Sequence, residues 1–419
     1  MNSSRSITFS QGVALYMGAV LGSGILILPG YTANIAGPSS IVSWVILSLL
    51  SIPLAYTFAR LALKYKDFGG ISTIVQKAFG YKWSAIVGWF FFAWVATGQA
   101  VVGMTGAGYI VHIFQLSDIY LYLLGFLFLC ATFIINIRGI KTSGLFSLWL
   151  SGGVLLLLIV TIIFALPEID LNHFSPFAPN GLTGIGQSCV LIFWAFFGWE
   201  TITHLVPEFK NPERDVMRST WVSVILIGLV YTLLSIVTVG THTYGNNTGD
   251  AAPLAVLMNK TLGLNAGAAT AIVSCVVCLG TLNVFLASSS RLGYALAKEG
   301  KFPQWFHKMS RRHVPYRAAF FLFLSNSLTI LASYVFKNPV DELILIPTTL
   351  GVFVYIIASM ACLKLLWNDR IGRISALLSV CCCVVIAPFA FSYLIVPVII
   401  SVACLLFLKL KPHRAKADV

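Results

Sequence analysis

Charge is what this chain has least of. Only 10% of its 419 residues are charged, against about 25% in an ordinary soluble protein. With 58% of the residues apolar, no soluble fold can hide the excess, and no polar stretch is long enough for a sizeable water-soluble domain. The bilayer is therefore the expected solvent. A spanning unit of about 20 apolar residues leaves room for about a dozen helices. The chain also lacks a G-x-x-x-x-G-K-[ST] loop, which excludes ATP-driven transport by this chain alone, and no cofactor is expected. The histidines stand singly in loops and at span ends, and only His204 has an acid, Glu208, one turn away, which reads as a helix-end contact. A membrane-embedded transferase would need a cluster of such groups near one interface, so the chain is not expected to be an enzyme. A channel would need a sustained polar stripe along several helices, and none is present. The nine cysteines lie in or beside apolar runs, which excludes a disulfide framework. Cys275 and Cys278 form a C-x-x-C without a second pair, so they read as small packing residues rather than metal ligands.

Apolar runs of roughly 20 residues give twelve spans: 11–35, 38–63, 83–111, 118–137, 144–166, 184–207, 219–240, 264–292, 318–336, 340–363, 374–390 and 392–409. The first runs too long for a signal peptide and lacks a convincing cleavage site, so it is read as a retained helix. With the N-terminus inside, every one of the 27 Lys and Arg residues except Lys260 and Lys337 falls on the cytoplasmic side. The positive-inside rule thus places both chain ends in the cytoplasm of a multi-pass cytoplasmic-membrane protein. A helix miscounted by one would scramble that partition. The formal charge of +13, and with it Arg311-Arg312-His313, is absorbed by topology and lipid headgroups, so no nucleic acid partner is expected.

Of the 14 acids, six fall at the outer side and seven at the cytoplasmic side, and only Glu200 lies near the middle of a span. A carboxyl there costs on the order of 2.5–3.5 kcal/mol and must face protein or a water-filled cavity. No Lys or Arg lies at its depth, which makes it the candidate proton carrier. In the first span, Gly22-Ser23-Gly24-Ile25 precedes Pro29, a stretch where a helix unwinds at little steric cost. Freed amides suit a carboxylate and freed carbonyls an ammonium or cation. Gly18 and Gly22 equally form a G-x-x-x-G suited to close helix packing. Gly198 interrupts the aromatic run of the sixth span just before Glu200. Spans one and six open two successive sets of five, and paired interruptions at matching places point to a midplane site. The surrounding Phe193, Trp194 and Phe197 then read as an apolar side-chain pocket with an aromatic lid.

Three runs carry a resemblance: Gly22-Ser23-Gly24-Ile25; Phe193-Trp194-x-Phe196-x-Gly198-x-Glu200 leading into Glu208-x-Lys210-Asn211-Pro212-x-Arg214; and Ser290-Arg291-x-x-Tyr294-Ala295-x-Ala297-Lys298-x-Gly300-x-x-Pro303. Together they resemble the amino acid–polyamine–organocation transporters over the whole chain, most of all the bacterial exporters of methionine and branched-chain amino acids. The resemblance implies an all-α integral membrane protein with alternating access and a 5+5 inverted repeat of the LeuT type plus two helices, helices 1 and 6 being broken. One membrane domain, 1–419, would divide into repeats at about 11–166 and 184–363 and a closing pair at about 374–409. Gly22, Ser23, Gly24 and Ile25 would hold the substrate's carboxylate and ammonium. Trp194 would match the gating aromatic, Phe197 the pocket wall, Phe285 a further aromatic facing the site, and Glu200 a coupling acid. The expected cargo is a neutral apolar amino acid, exported against protons; exchange, import and sodium coupling are the alternatives. Helix five carries no lysine between Leu145 and Phe164, a departure from some proton-coupled members. Ser288 and Ser289 are the candidate sodium ligands, though serines also back-bond within membrane helices. Oligomeric state and the role of loop 241–262 stay open.

Overall fold

The computed structural model of the protein describes residues 7–65, 70–139 and 144–410. The side chains of 144–150, 204, 205, 207, 247, 248 and 392 lie outside that description. So do Arg5, Lys66, Asp67, Lys141 and the stretch from Lys411 to Val419, and with them both chain ends and the His204–Glu208 contact. The described chain is helical: α1 Phe9–Val20, α2 Gly24–Ala36, α3 Ser40–Lys64, α4 Gly70–Phe79, α5 Tyr81–Ile113, α6 Ile119–Ile137, α7 Gly144–Ala165, α8 Gly181–Phe193 and α9 Ile202–Leu205. There follow α10 Pro212–Gly240, α11 Asn247–Ala251, α12 Pro253–Leu262, α13 Leu264–Lys298, α14 Tyr316–Phe336, α15 Val340–Leu365, α16 Arg370–Ile386 and α17 Ile395–Leu410. Among the described residues no β-strand forms. A single parallel bridge joins Ile7 to Phe209.

Local chemistry sets several boundaries. Thr8 and Gln11 close a capping box at the start of α1. Pro212 occupies the first turn of α10 with Glu213 and Asp215, where a missing N–H costs nothing and negative charge meets the positive helix end. Asp369 caps α16 by accepting from the Gly372 N–H at 3.1 Å, and it also accepts from Arg60 Nε at 2.6 Å. That guanidinium holds the Asp369 carboxyl below its ordinary range.

Among the described residues ten helical runs are long and apolar enough to cross a membrane. The difference from the twelve spans expected has two sources. Residues Gly24–Lys64 count as one run of 41 residues, about 60 Å of helix against about 30 Å of hydrocarbon. That run is interrupted at Gly37, where φ is +59° and a short 3-10 turn, Gly37–Ser39, leads into α3. At the other end, α17 has 16 residues and falls short of the length required. Apolar side chains such as Leu156, Ile225 and Val385 stand more than 60% exposed, a surface that water would not tolerate and lipid does. The protein is a multi-pass membrane protein.

Two packed groups frame the interior. Helices α1, α2, α3, α8 and α10 pack on one another, and α5, α6, α13 and α14 form a second group, with α15 bridging α5 to α8 and α16. α5 runs buried along most of its length between them.

Candidate functional site

Helical bonding stops after Val20. Leu21 still donates to Met17 O at 2.8 Å, but the Gly22 N–H turns to Val20 O at 2.8 Å, and the next turn resumes with Leu26 N to Ser23 O at 3.2 Å. Ser23 and Ile25 are buried. The two glycines flanking the serine are not equivalent. A Cβ on Gly22 would meet nothing within 4 Å, whereas one on Gly24 would strike the Trp194 ring at 2.6 Å and the Ala195 backbone at 3.2 Å. Gly22 therefore borders open space, and Gly24 lets the indole lie against α2. Gly18 stands at the contact of α1 with α7, where a Cβ would reach the Ser151 hydroxyl.

The second interruption follows α8. Trp194–Phe196 tightens to a 3-10 turn, Phe197 is extended (φ −72°, ψ 147°) and Gly198 takes φ +122°, a conformation that glycine alone adopts readily. A Cβ on Gly198 would also lie 2.6 Å from Ala19 O, so the second interruption meets the backbone of the last turn of α1, next to the first.

Three tyrosines tie these segments down. The Tyr231 hydroxyl of α10 donates to Val20 O at 3.0 Å and to Ala195 O at 3.2 Å. Tyr109 of α5 donates to Leu26 O at 2.5 Å. Tyr355 of α15 donates to Glu200 Oε2, and the Gly198 N–H donates to the same carboxylate oxygen at 3.0 Å and to Tyr355 Oη at 3.2 Å. Glu200 thus folds back on its own interruption, held by a phenol and an amide rather than by a cation.

The aromatic residues converge on a side chain that sequence reasoning missed. Trp94 of α5 lies 6.1 Å from Trp194, 4.5 Å from Phe197 and 6.2 Å from Phe285, centroid to centroid. Phe193 stands behind Phe197 at 5.3 Å. Gly98 and Gly351 make room for this cluster: a Cβ on Gly98 would meet the far edge of the Trp194 ring at 2.7 Å, and one on Gly351 would overlap the Phe197 ring. Ser288 and Ser289 contribute less visibly. Ser288 is exposed and donates to Phe285 O at 3.2 Å, while Ser289 is buried. Cys275 donates to Gly106 O at 3.0 Å and Cys278 packs against the same glycine. Among the described residues no group of His, Cys, Asp and Glu is arranged to hold a metal ion.

Beyond Gly24 along α2, Ile27 and Tyr31 line a cavity of about 410 Å³ together with Met104, Asp118, Asp250 and Asp341. The loop 241–262 supplies part of its wall through Asp250 and Ala251.

Trp94, Tyr109, Tyr231 and Tyr355 are the residues of the candidate site that the motifs did not mark. Their only signal in the sequence is a polar atom or an indole inside an apolar span, which any core residue shares.

The model of the amino acid permease family matches residues 7–410. The uncharacterized amino acid permease YecA of Bacillus subtilis (strain 168) is 37% identical over 416 residues, 99% of this chain and 98% of the relative. The L-methionine/branched-chain amino acid exporter YjeH of Escherichia coli (strain K12) is 28% identical over 365 residues, 86% of each chain. The branched-chain amino acid permease BcaP of Bacillus subtilis (strain 168) is 25% identical over 372 residues, 84% of this chain and 79% of the relative. Matched from end to end of its described helices, the chain belongs to the amino acid permease family.

Proposed function

We propose that this permease moves neutral apolar amino acids, namely methionine, leucine, isoleucine and valine, outward across the cytoplasmic membrane at the expense of the proton gradient. The observation that carries this reading is the cluster of Trp94, Trp194, Phe197 and Phe285 beside the interruption at Gly22 to Ile25. An apolar enclosure accepts a thioether or branched alkyl chain, whereas a charged side chain would lose its hydration there without a partner. The zwitterionic end would be met by backbone from Gly22, Ser23, Gly24 and Ile25, with the open space at Gly22 admitting it. The family and the exporter among its relatives support the cargo class.

In this reading the chain has twelve spans, a first repeat of five at about 11–166, a second at about 184–363, a closing pair at about 374–409, and cytoplasmic ends. Spans one and six are the broken ones. Glu200 carries the coupling proton. As a carboxylate it accepts from both the Gly198 N–H and the Tyr355 O–H. A proton on Glu200 turns part of that acceptor into a donor and loosens the grip on the interruption.

The test is uptake of labelled methionine and leucine into proteoliposomes, with and without an imposed proton gradient, free of sodium. Gradient-dependent uptake is expected, and Glu200→Gln should remove its pH dependence. Preference for arginine or glutamate over methionine would overturn the pocket reading, and an unchanged pH profile in Glu200→Gln would overturn the coupling role.

A further inference from the structure

One hydroxyl in this fold serves both interruptions. Tyr231 sits on α10, fully buried, and its oxygen lies within hydrogen-bonding distance of Val20 O, where α1 ends, and of Ala195 O, in the turn that follows α8. A phenol has one proton, so it is shared between two carbonyls separated by 175 positions in the chain, and the hydroxyl holds both only while both stay within reach. The ring cannot swing away to favour one. The Trp44 indole stands edge-on to it at 5.4 Å and 78°, and the Phe196 ring at 5.2 Å and 88°. Trp44 is in turn anchored through its Nε1–H to Thr32 Oγ1 of α2 at 3.2 Å. Apart from the 3-10 turn Trp194–Phe196, which carries Ala195 and Phe196, every element that contacts the hydroxyl or clamps the ring belongs to the packed group of α1, α2, α3, α8 and α10.

We propose that Tyr231 is a positioning residue for transport: its shared hydroxyl bond sets the separation of the two interrupted segments and makes them open and close as one body. The inference rests on the reading of those interruptions as the substrate site. Tyr231 need not touch the substrate. It takes up one lone-pair direction on each carbonyl, and the neighbouring backbone is left to the cargo in a geometry prepared before binding. Loss of that preparation weakens binding more than the subsequent steps. Val20 O keeps a second donor in the Gly22 N–H at 2.8 Å, so removing the phenol oxygen leaves the α1 end partly satisfied and the fold able to form.

Tyr231→Phe keeps the ring and removes the bridge. In proteoliposomes the apparent KM for methionine should rise about tenfold while the maximal rate per folded transporter stays within about twofold, the pattern of lost preorganisation. In detergent, amide exchange followed by mass spectrometry should accelerate in peptides covering 20–26 and in those covering 194–201 together. Tyr109→Phe, whose hydroxyl donates to Leu26 O of the first segment and to no carbonyl of the second, should accelerate the first segment and not the second. Either readout unchanged in Tyr231→Phe, or acceleration confined to one segment, overturns the proposal. If wild-type protein moves no methionine, the cargo assignment fails, and exchange alone then decides the role of Tyr231. If the variant cannot be recovered folded, wild-type protein in mild denaturant decides: a common opening rate for the two segments supports the bridge, and separate rates overturn it.

Discussion

At the scale of single residues, identical letters take opposite jobs. Gly18 and Gly22 satisfy the same G-x-x-x-G pattern, and that pattern by itself does not separate a glycine at a helix contact from one at an interruption. Structure separates them by what a methyl group would meet: the Ser151 hydroxyl at Gly18, open space at Gly22. Gly18→Ala should therefore melt close to wild type and keep methionine uptake, because the Ser151 hydroxyl can rotate away from the new methyl and alanine favours the helix. Gly22→Ala should melt close to wild type and lose most methionine uptake, because its methyl would occupy the space the cargo's charged end needs. Wild-type uptake in Gly22→Ala would remove that glycine from the site. Glu200 shows the other limit of reading letters. Its isolation from Lys and Arg is plain from the sequence, but its partners, Tyr355 from α15 and the Gly198 amide, become evident only when distant helices meet.

At the scale of elements, the long apolar spans are legible to within a few residues, and the short amphipathic pieces are not. α4 buries Ile71, Ile74, Val75 and Ala78 along one stripe, yet its ten residues are too few to span and too polar to stand out. The 241–262 loop is the larger omission. It folds into α11 and α12, and α11 is seated on α2 at Gly30, where a Cβ would lie 2.6 Å from the carbonyl oxygens of Gly249 and Asp250. Asp250 closes the loop by accepting from the Gly245 N–H at 2.9 Å. Burial, reinforced by the nearby Asp341 carboxylate, pushes the Asp250 carboxyl up to about 6 from 3.8. A carboxyl raised in the folded state binds its proton more tightly there than in the unfolded chain. Its stabilising contribution is present in full below about 3.8 and is lost as pH rises through about 6. Melting temperature measured from pH 4 to pH 7 should fall across that window, and Asp250→Asn should flatten the fall. A slope unchanged by the substitution would assign the pH dependence to other groups.

At the scale of the whole molecule, charge distribution and packing divide the labour. The basic residues predict orientation without any tertiary contact, since the membrane itself reads them. An impermeant amine reagent applied to intact cells should label Lys260 and Lys337, both exposed, and should reach Lys298 and Lys308 only after permeabilisation. The reverse pattern would invert the topology. What the sequence by itself determined is the solvent, the position of most spans, the two glycine-marked interruptions and the membership that its three motifs announce. These depend on composition and on short local patterns, which survive without a fold. Tertiary structure alone decided that Trp94 completes the aromatic cluster, that Gly22 faces open space while Gly18 meets the Ser151 hydroxyl of α7, and that one phenol joins both interruptions. The Tyr231 bond to Val20 spans 211 positions, and contacts that distant are selected by how buried helices fill space against one another, which no local pattern of letters encodes.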